Sequence, residues 1–194
     1  HYPLRRQRQM CIRDRYRLNS YLLHTINEVF YLKVSSMMLY AYADASFNIH
    51  VDGKGHTGIV LSMGDSGGNF YFKSTKQKIV TRSSTEAEIV ALDSILMKIL
   101  ELRQWLEEVG YKQTEPTVIW EDNKSAIILT ERGSTDIGSV RYMRNRYFFI
   151  KQHLETKDVT VKHMPTESMI ADILTKPLVG SLYQRMFTSV MNKS

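Results

Sequence analysis

Apolar and polar positions follow two successive patterns along this chain, the first typical of strands and the second of helices. Residues 39–73 contain three stretches with the aromatic and β-branched content of strands, separated by glycine-containing turns. The clearest turn is Gly-Asp-Ser-Gly-Gly-Asn at residues 64–69. The pattern therefore predicts an antiparallel meander with strands at residues 39–44, 57–63 and 70–73.

After Ser83 the spacing changes, and apolar residues recur every three or four positions until Gly110, as in a long helix. A short apolar segment at residues 118–120 has the character of a strand buried on both faces. Beyond it the pattern predicts helices at 123–130 and 139–155, a strand at 159–163 and a last helix at 167–174. This order of elements indicates an α/β domain.

Length and composition fit one folded domain. The chain has 194 residues, of which 43% are hydrophobic, so a single full core can be buried. No apolar run is long enough to cross a bilayer, and no secretory signal is recognisable, so we expect no membrane partner. Cys11 is the only cysteine, which excludes a disulfide framework and a cysteine-built zinc site. We expect an intracellular, cytoplasmic protein.

The net charge of +6 suggests an acidic polymer as partner until its position is considered. Residues 1–17 contain six arginines and one acid, Asp14, and so contribute +5. The rest of the chain carries only about +1. Bulk charge is therefore poor support for nucleic-acid binding by the folded part.

The N-terminal segment raises a question of origin. Met-Cys-Ile-Arg-Asp-Arg at residues 10–15 back-translates as ATG TGT ATA AGA GAC AG followed by A or G. That reading matches the end of an adapter used in transposase-based sequencing. We interpret roughly the first fifteen residues as a read-through artefact, with a natural basic tail as the alternative. The expected organisation is an N-terminal segment at 1–38, disordered, and a folded domain at 39–194.

Four acids occupy equivalent positions at strand ends and in helices near their starts: Asp44, Glu86, Asp122 and Asp172. Such positions converge on one edge of an α/β layer, where sites form. Gathered carboxylate oxygens suit Mg²⁺ or Mn²⁺, and two such ions can drive hydrolysis of a phosphodiester without a nucleophilic side chain.

Each acid also has a purely structural interpretation, which is the more common one for an acid taken alone. Glu86 fits a capping box that begins at Ser83, and Asp122 could be an ordinary helix N-cap. Asp44 could be a turn acid and Asp172 a solvated helix residue.

The sequences around the acids change this balance. The motifs are Ala-Tyr-Ala-Asp-Ala-Ser at 41–46, Ser-Ser-Thr-Glu-Ala-Glu at 83–88, Glu-Asp-Asn-Lys-Ser-Ala at 121–126 and Ala-Asp-Ile-Leu-Thr-Lys-Pro-Leu at 171–178. In this order they resemble the ribonuclease H domain of copia-type (LTR) retrotransposon Pol polyproteins. The similarity extends over about residues 39–187 and includes His-Thr-Gly at 56–58.

The resemblance implies a ribonuclease H-like fold, a five-stranded mixed sheet flanked by helices. It also implies endonucleolytic cleavage of the RNA strand of RNA–DNA hybrids during reverse transcription, with two Mg²⁺ or Mn²⁺ ions. The metal-binding carboxylates carry over onto Asp44, Glu86, Asp122 and Asp172. Glu88 is left out, because two residues along a helix it points away from Glu86.

The implied partners are an RNA–DNA hybrid and the reverse transcriptase polymerase domain of the same polyprotein. Residues 1–38 would then be a remnant of the segment that connects the two domains. Polar groups beside the acids suit the RNA 2′-hydroxyl and phosphates, and we expect them to contact substrate: Ser83, Ser84, Thr85 and Asn123. Two alternatives stay open. One is a non-catalytic binding or scaffold domain of a reverse transcriptase, against which the four acids argue. The other is an integrase or transposase of the same fold. Glu86 argues against it, because the integrase arrangement has no acid at the start of a helix directly after the strand meander.

Overall fold

The computed structural model describes residues 2–65, 67–132 and 141–193. Contacts divide the chain into two units between Phe30 and Tyr31. The first unit contains the helix α1, Tyr2–Thr25, where the sequence suggested a disordered segment. The second unit contains every other element. Residues 31–38 belong to it, although the sequence placed the boundary before Leu39.

A mixed five-stranded sheet forms the centre of the second unit, which confirms the predicted fold. Its strands are β1 (Leu39–Ser46), β2 (His56–Met63), β3 (Asn69–Lys76), β4 (Thr117–Glu121) and β5 (Val159–His163). They lie in the order β3-β2-β1-β4-β5. The first three form the antiparallel meander, whereas β4 pairs parallel with both β1 and β5. The central strand β1 is therefore the junction of the antiparallel and parallel halves.

Among the residues that the structure describes, four α-helices accompany the sheet: α2 (Ser84–Glu108), α3 (Lys124–Arg132), α4 (Arg141–Glu155) and α5 (Gly180–Val190). Alternate residues of β1 face opposite layers, as the pleat requires. Ala41 and Ala43 pack in the core against α2. Tyr42 packs instead against a second apolar cluster, which includes Val60, Met169 and Met186. Within the described ranges, no helix is both long and apolar enough to cross a membrane.

The core beneath α2 fixes that helix firmly on the sheet. Leu92, Ile95 and Ile99 are fully buried there, at the spacing of one helical face. Burial of each such side chain contributes about 1.5–3 kcal/mol to the free energy of unfolding. This face therefore fixes the position of the other side chains on α2 relative to the sheet.

The chain after β5 departs from the prediction. In place of one helix at 167–174 there are two 3₁₀ helices, Thr166–Ser168 and Ile170–Leu174, and α5 follows them without having been predicted. Met169 separates the two 3₁₀ helices, and its extended backbone (φ −72°, ψ 93°) interrupts any continuous helix through this segment. Of the helix predicted at 139–155, the first two residues lie outside the described ranges, and the rest is α4.

Gly58 explains how closely this segment approaches the sheet. A Cβ at Gly58 would lie 2.7 Å from Thr175 Cγ2 and 2.8 Å from the Ala171 carbonyl oxygen. Only glycine permits that approach. The second 3₁₀ helix and the turn after it are thereby held directly over β2.

Candidate active site

Asp44 lies on the central strand β1 and is 1% exposed. The hydroxyl of Thr175 donates a short hydrogen bond to its Oδ2. Lys176 Nζ lies 3.2 Å from its Oδ1. Both partners come from the turn that follows the second 3₁₀ helix, so the same close approach that Gly58 permits also orients the Asp44 carboxylate.

Three carboxylates meet at this point. Asp44, Glu88 and Asp122 each offer an oxygen, and these oxygens all lie within 4.8 Å of one another. Asp44 comes from β1, Glu88 from the second turn of α2, and Asp122 from the residue after β4. The parallel pairing of β1 with β4 brings their carboxyl ends to one edge, which is the convergence that the sequence suggested.

Glu88 is buried as well. It is 4% exposed, and its Oε2 accepts no hydrogen bond from any residue that the structure describes. A buried carboxylate oxygen without a donor is costly unless a proton, a cation or a water molecule binds it. Asp122 is only partly buried, and Thr166 Oγ1 donates to its Oδ2 at 2.8 Å.

Asp172 joins the cluster through Lys176. It lies on the second 3₁₀ helix and is 3% exposed. Lys176 Nζ is 2.6 Å from Asp172 Oδ1 and also contacts Asp44, so the ammonium bridges the two acids. Three of the four predicted acids, Asp44, Asp122 and Asp172, are thus brought together.

Glu86, the fourth predicted acid, lies outside this cluster. Its Oε2 accepts the backbone N–H of Arg82 at 2.8 Å, and its Oε1 pairs with the Arg82 guanidinium at 3.1 Å. Its own N–H donates to the hydroxyl of Ser83, the N-cap of α2. These contacts are close to the capping arrangement considered as the structural alternative.

Glu88, which the sequence analysis set aside, takes the place predicted for Glu86. The reason is the direction of side chains on α2: residues two apart diverge, and it is Glu88 that points to the sheet. A signal for this was present in the sequence. Glu88 precedes Leu92, Ile95 and Ile99 by four, seven and eleven residues, and therefore shares their buried face.

A further acid that the sequence analysis missed lies beneath the cluster. Glu121, the last residue of β4, is fully buried, and its Oε1 accepts the backbone N–H of Asn123 at 3.0 Å. Its Oε2 has no donor among the described residues. Burial, together with the charges of Asp122 and Asp44, raises the pKa of Glu121 to about 8.

The same crowding affects the other acids. Burial raises the pKa of Glu88 well above its ordinary value, and the negative charges of Glu121 and Asp44 raise it further. Burial also raises the pKa of Asp172 to about 6, although Lys176 opposes the shift. Carboxyl groups that resist ionisation for these reasons gain most from a cation placed among them.

The residues predicted to contact substrate have structural roles at helix starts. Ser83 caps α2, with Ser84 and Thr85 in the first turn, and Asn123 Oδ1 caps α3 by accepting the N–H groups of Ser125 and Ala126 at 3.0 and 3.1 Å. Ser83 and Ser84 are exposed, while Thr85 and Asn123 are partly exposed. Asn123 directly follows Asp122 at the open side of the cluster.

The donor set fits a hard divalent cation. It consists of carboxylate oxygens alone, which are the ligands that Mg²⁺ and Mn²⁺ prefer. Glu88 Oε2, which accepts no hydrogen bond from the described residues, could bind such an ion. The fold and the arrangement of acids together define a protein of the ribonuclease H class.

Solved structures agree with this class. The chain resembles the crystal structure of LC11-RNase H1, isolated from compost by a metagenomic approach, with a TM-score of 0.52 and 16% identity over 71% of this chain and 92% of that one. A second structure of LC11-RNase H1, in complex with an RNA/DNA hybrid, gives a TM-score of 0.50 and 14% identity over 70% and 92% of the two chains. At these identities the likeness shows the fold.

Sequence relatives narrow the class to a family. The chain is 30% identical over 176 residues to the retrovirus-related Pol polyprotein from transposon RE1 of Arabidopsis thaliana. The match covers 90% of this chain but only 12% of that polyprotein. No protein-family model matches the chain. The chain belongs with the ribonuclease H domains of the retrovirus-related Pol polyproteins from copia-type transposons, as its motifs suggested.

Proposed function

We propose that this domain is a metal-dependent ribonuclease H that cleaves the RNA strand of RNA–DNA hybrids during reverse transcription of a retrotransposon. The observation that carries the proposal is the meeting of Asp44, Glu88 and Asp122, whose oxygens lie within 4.8 Å of one another. The buried Oε2 of Glu88 supports it, since this oxygen accepts no hydrogen bond from the described residues and a cation would satisfy it.

Asp44, Glu88, Asp122 and Asp172 are the residues that would hold the metal, with Glu88 replacing Glu86 in the set implied by the resemblance. When bound, two Mg²⁺ or Mn²⁺ ions would activate a water molecule and stabilise the leaving 3′ oxygen of the phosphodiester. The protein needs no nucleophilic side chain for this reaction.

The chain's own residues prepare the carboxylates. Thr175 and Thr166 each donate a hydroxyl hydrogen bond to one oxygen, of Asp44 and Asp122 respectively, and thereby restrict how these carboxylates turn. Glu88 needs no such donor, because the buried face of α2 fixes its direction. The partly exposed side of Asp122 leaves the cluster open to a phosphate group.

The relatives support a proposal for the substrate and the partner. LC11-RNase H1 has been crystallised with an RNA/DNA hybrid, and the Arabidopsis relative is a Pol polyprotein. We infer that the hybrid is also the substrate here, and that a reverse transcriptase polymerase domain is the partner. Ser83, Ser84, Thr85 and Asn123 keep exposed or partly exposed surface, and Asn123 directly follows Asp122 of the cluster. We propose that this surface contacts the RNA 2′-hydroxyl and phosphates.

The test is cleavage of an RNA–DNA hybrid labelled on the RNA strand, with Mg²⁺ or Mn²⁺ added. We expect cutting of the RNA strand that requires metal and that disappears in Asp122→Asn, which keeps the shape of the side chain. The same length of duplex DNA should stay intact. A folded protein that binds metal but leaves the hybrid uncut, even with a polymerase domain attached, would instead identify a non-catalytic binding domain.

A further inference from the structure

Lys176 occupies an unusual position among the acids. Its Nζ lies 2.6 Å from Asp172 Oδ1 and 3.2 Å from Asp44 Oδ1, while the two acids are only 4% and 1% exposed at their side chains. One ammonium thus pairs with two carboxylates that have almost no access to water. The negative charges of both acids raise the pKa of Lys176 despite its partial burial, so the ammonium keeps its proton.

The position of Lys176 is held by the local backbone. Its N–H donates to the Asp172 carbonyl oxygen at 2.9 Å, and Pro177 follows immediately. Its side chain is nevertheless 35% exposed. A four-carbon stem that reaches the solvent can swing the ammonium out without any change of the backbone.

The oxygens that accept this ammonium are oxygens of two proposed metal ligands. A cation that binds between Asp44 and Asp172 would therefore have to displace the Lys176 ammonium from these oxygens. Two like charges at such distances repel strongly where the surroundings exclude water.

We propose that Lys176 is an internal counter-cation that competes with a divalent ion for Asp44 and Asp172. It stabilises the fold when metal is scarce, and it must leave these oxygens for the ion to take them. The competition weakens metal binding on the Asp172 side of the cluster relative to the Glu88 side. This inference rests on the proposed metal site, but its predictions concern binding and stability and not cleavage.

The first experiment compares the full chain with Lys176→Met, which keeps the apolar stem and removes the charge. In a chelator, the melting temperature of Lys176→Met should fall by roughly 4 °C or more, because two buried carboxylates lose their partner. Calorimetric titration with Mn²⁺ or Mg²⁺ alone should show that Lys176→Met binds the ion more tightly than the unchanged chain, by a factor on the order of ten.

Lys98→Met is the matched control. Lys98 is 28% exposed and pairs with Glu101 at 3.0 Å on α2, so its loss also removes one lysine and one ion pair. It should leave metal affinity unchanged. Equal metal affinity in the unchanged chain and Lys176→Met would overturn the competition while leaving the metal site intact. Absence of metal binding in both would overturn the metal site as well.

A second measurement needs no variant and covers the case in which Lys176→Met fails to fold. The full chain is treated briefly with an acetylating reagent, with and without saturating Mg²⁺, and modification is read at each lysine by mass spectrometry. Lys176 should become several-fold more reactive when the ion is present, whereas Lys98 should not change. Reactivity of Lys176 that is unaffected by a bound ion would contradict the proposal.

Discussion

Glu86 and Glu88 are two residues apart on α2, yet their carboxylates have opposite surroundings. Glu86 is held at the start of the helix by the backbone and guanidinium of Arg82. Glu88 is buried beside Asp44 and Asp122, with one oxygen that no described residue satisfies. Identical side chains therefore serve stability at one position and, in our proposal, chemistry at the other.

Substitution of each glutamate by glutamine should separate these roles. Glu88→Gln should lower hybrid cleavage at least about a hundredfold, since a neutral amide is a poor ligand for a hard cation. Glu86→Gln should keep cleavage within about threefold and lower the free energy of unfolding by about 0.5–1 kcal/mol, through the weakened pair with Arg82. Initial cleavage rates and urea denaturation measure the two effects. A comparable loss of cleavage in both variants would contradict the assignment.

Thr175→Val tests the hydroxyl that orients Asp44. Valine fills the same space but leaves Asp44 Oδ2 without its donor, so we expect a loss of about 1–3 kcal/mol in stability and roughly tenfold in kcat/KM. Thr156→Val is the control, because Thr156 also donates to a carboxylate, that of Asp158, but at an exposed position away from the cluster. The control should cost less than about 1 kcal/mol and leave cleavage unchanged.

Glu121→Gln should change how stability depends on pH. The pKa of Glu121 is raised from 4.5 to about 8 in the folded protein, so its contribution to stability is complete below about pH 4.5 and is lost as pH rises through 8. Glutamine keeps the oxygen that accepts the Asn123 N–H and cannot ionise. In a chelator, the stability of the variant relative to the unchanged chain should therefore improve by roughly 2–4 kcal/mol between pH 5 and pH 9. Parallel stability curves for the two proteins would refute this origin of the pH dependence.

Gly58→Ala should damage the site through the backbone. The added methyl would meet Thr175 and the Ala171 carbonyl at 2.7 and 2.8 Å, which forces the segment that carries Asp172 and Lys176 away from β2. We expect a loss of about 2 kcal/mol or more in stability, with cleavage reduced at temperatures where the protein stays folded. Gly110→Ala provides the contrast: its φ of +92° makes alanine strained, but nothing lies within 4 Å. It should cost about 1 kcal/mol and spare cleavage.

Much of the sheet and of α2 could be predicted because strong local patterns agree there with tertiary packing. The glycine-rich turn at 64–69 and the helical spacing after Ser83 each have one simple interpretation. The segment after Pro165 lacks such a pattern. Its conformation depends on contact with β2 through Gly58, and a contact across more than a hundred positions is not visible in local spacing.

The sequence analysis anticipated that the sheet brings Asp44 and Asp122 together, but not which glutamate of α2 joins them. Asp44 and Asp122 are positioned by the sheet, so order along the chain was enough to bring them together. On α2, Glu86 and Glu88 are both candidates, and only their position relative to the buried face of the helix distinguishes them. Thr175, Lys176 and Glu121 were missed because their importance lies in what they contact.

The active-site contacts also impose an order of events during synthesis. Asp44 is made early, whereas Thr175 and Lys176, which contact its carboxylate, follow 131 and 132 positions later. A nascent chain therefore possesses Asp44, Glu88 and Asp122 well before the segment that completes the set. Premature termination before Thr175 leaves Asp44 without the hydroxyl that orients it and without the ammonium that pairs with it. In our proposal, nuclease activity therefore requires a chain that has been translated past Lys176.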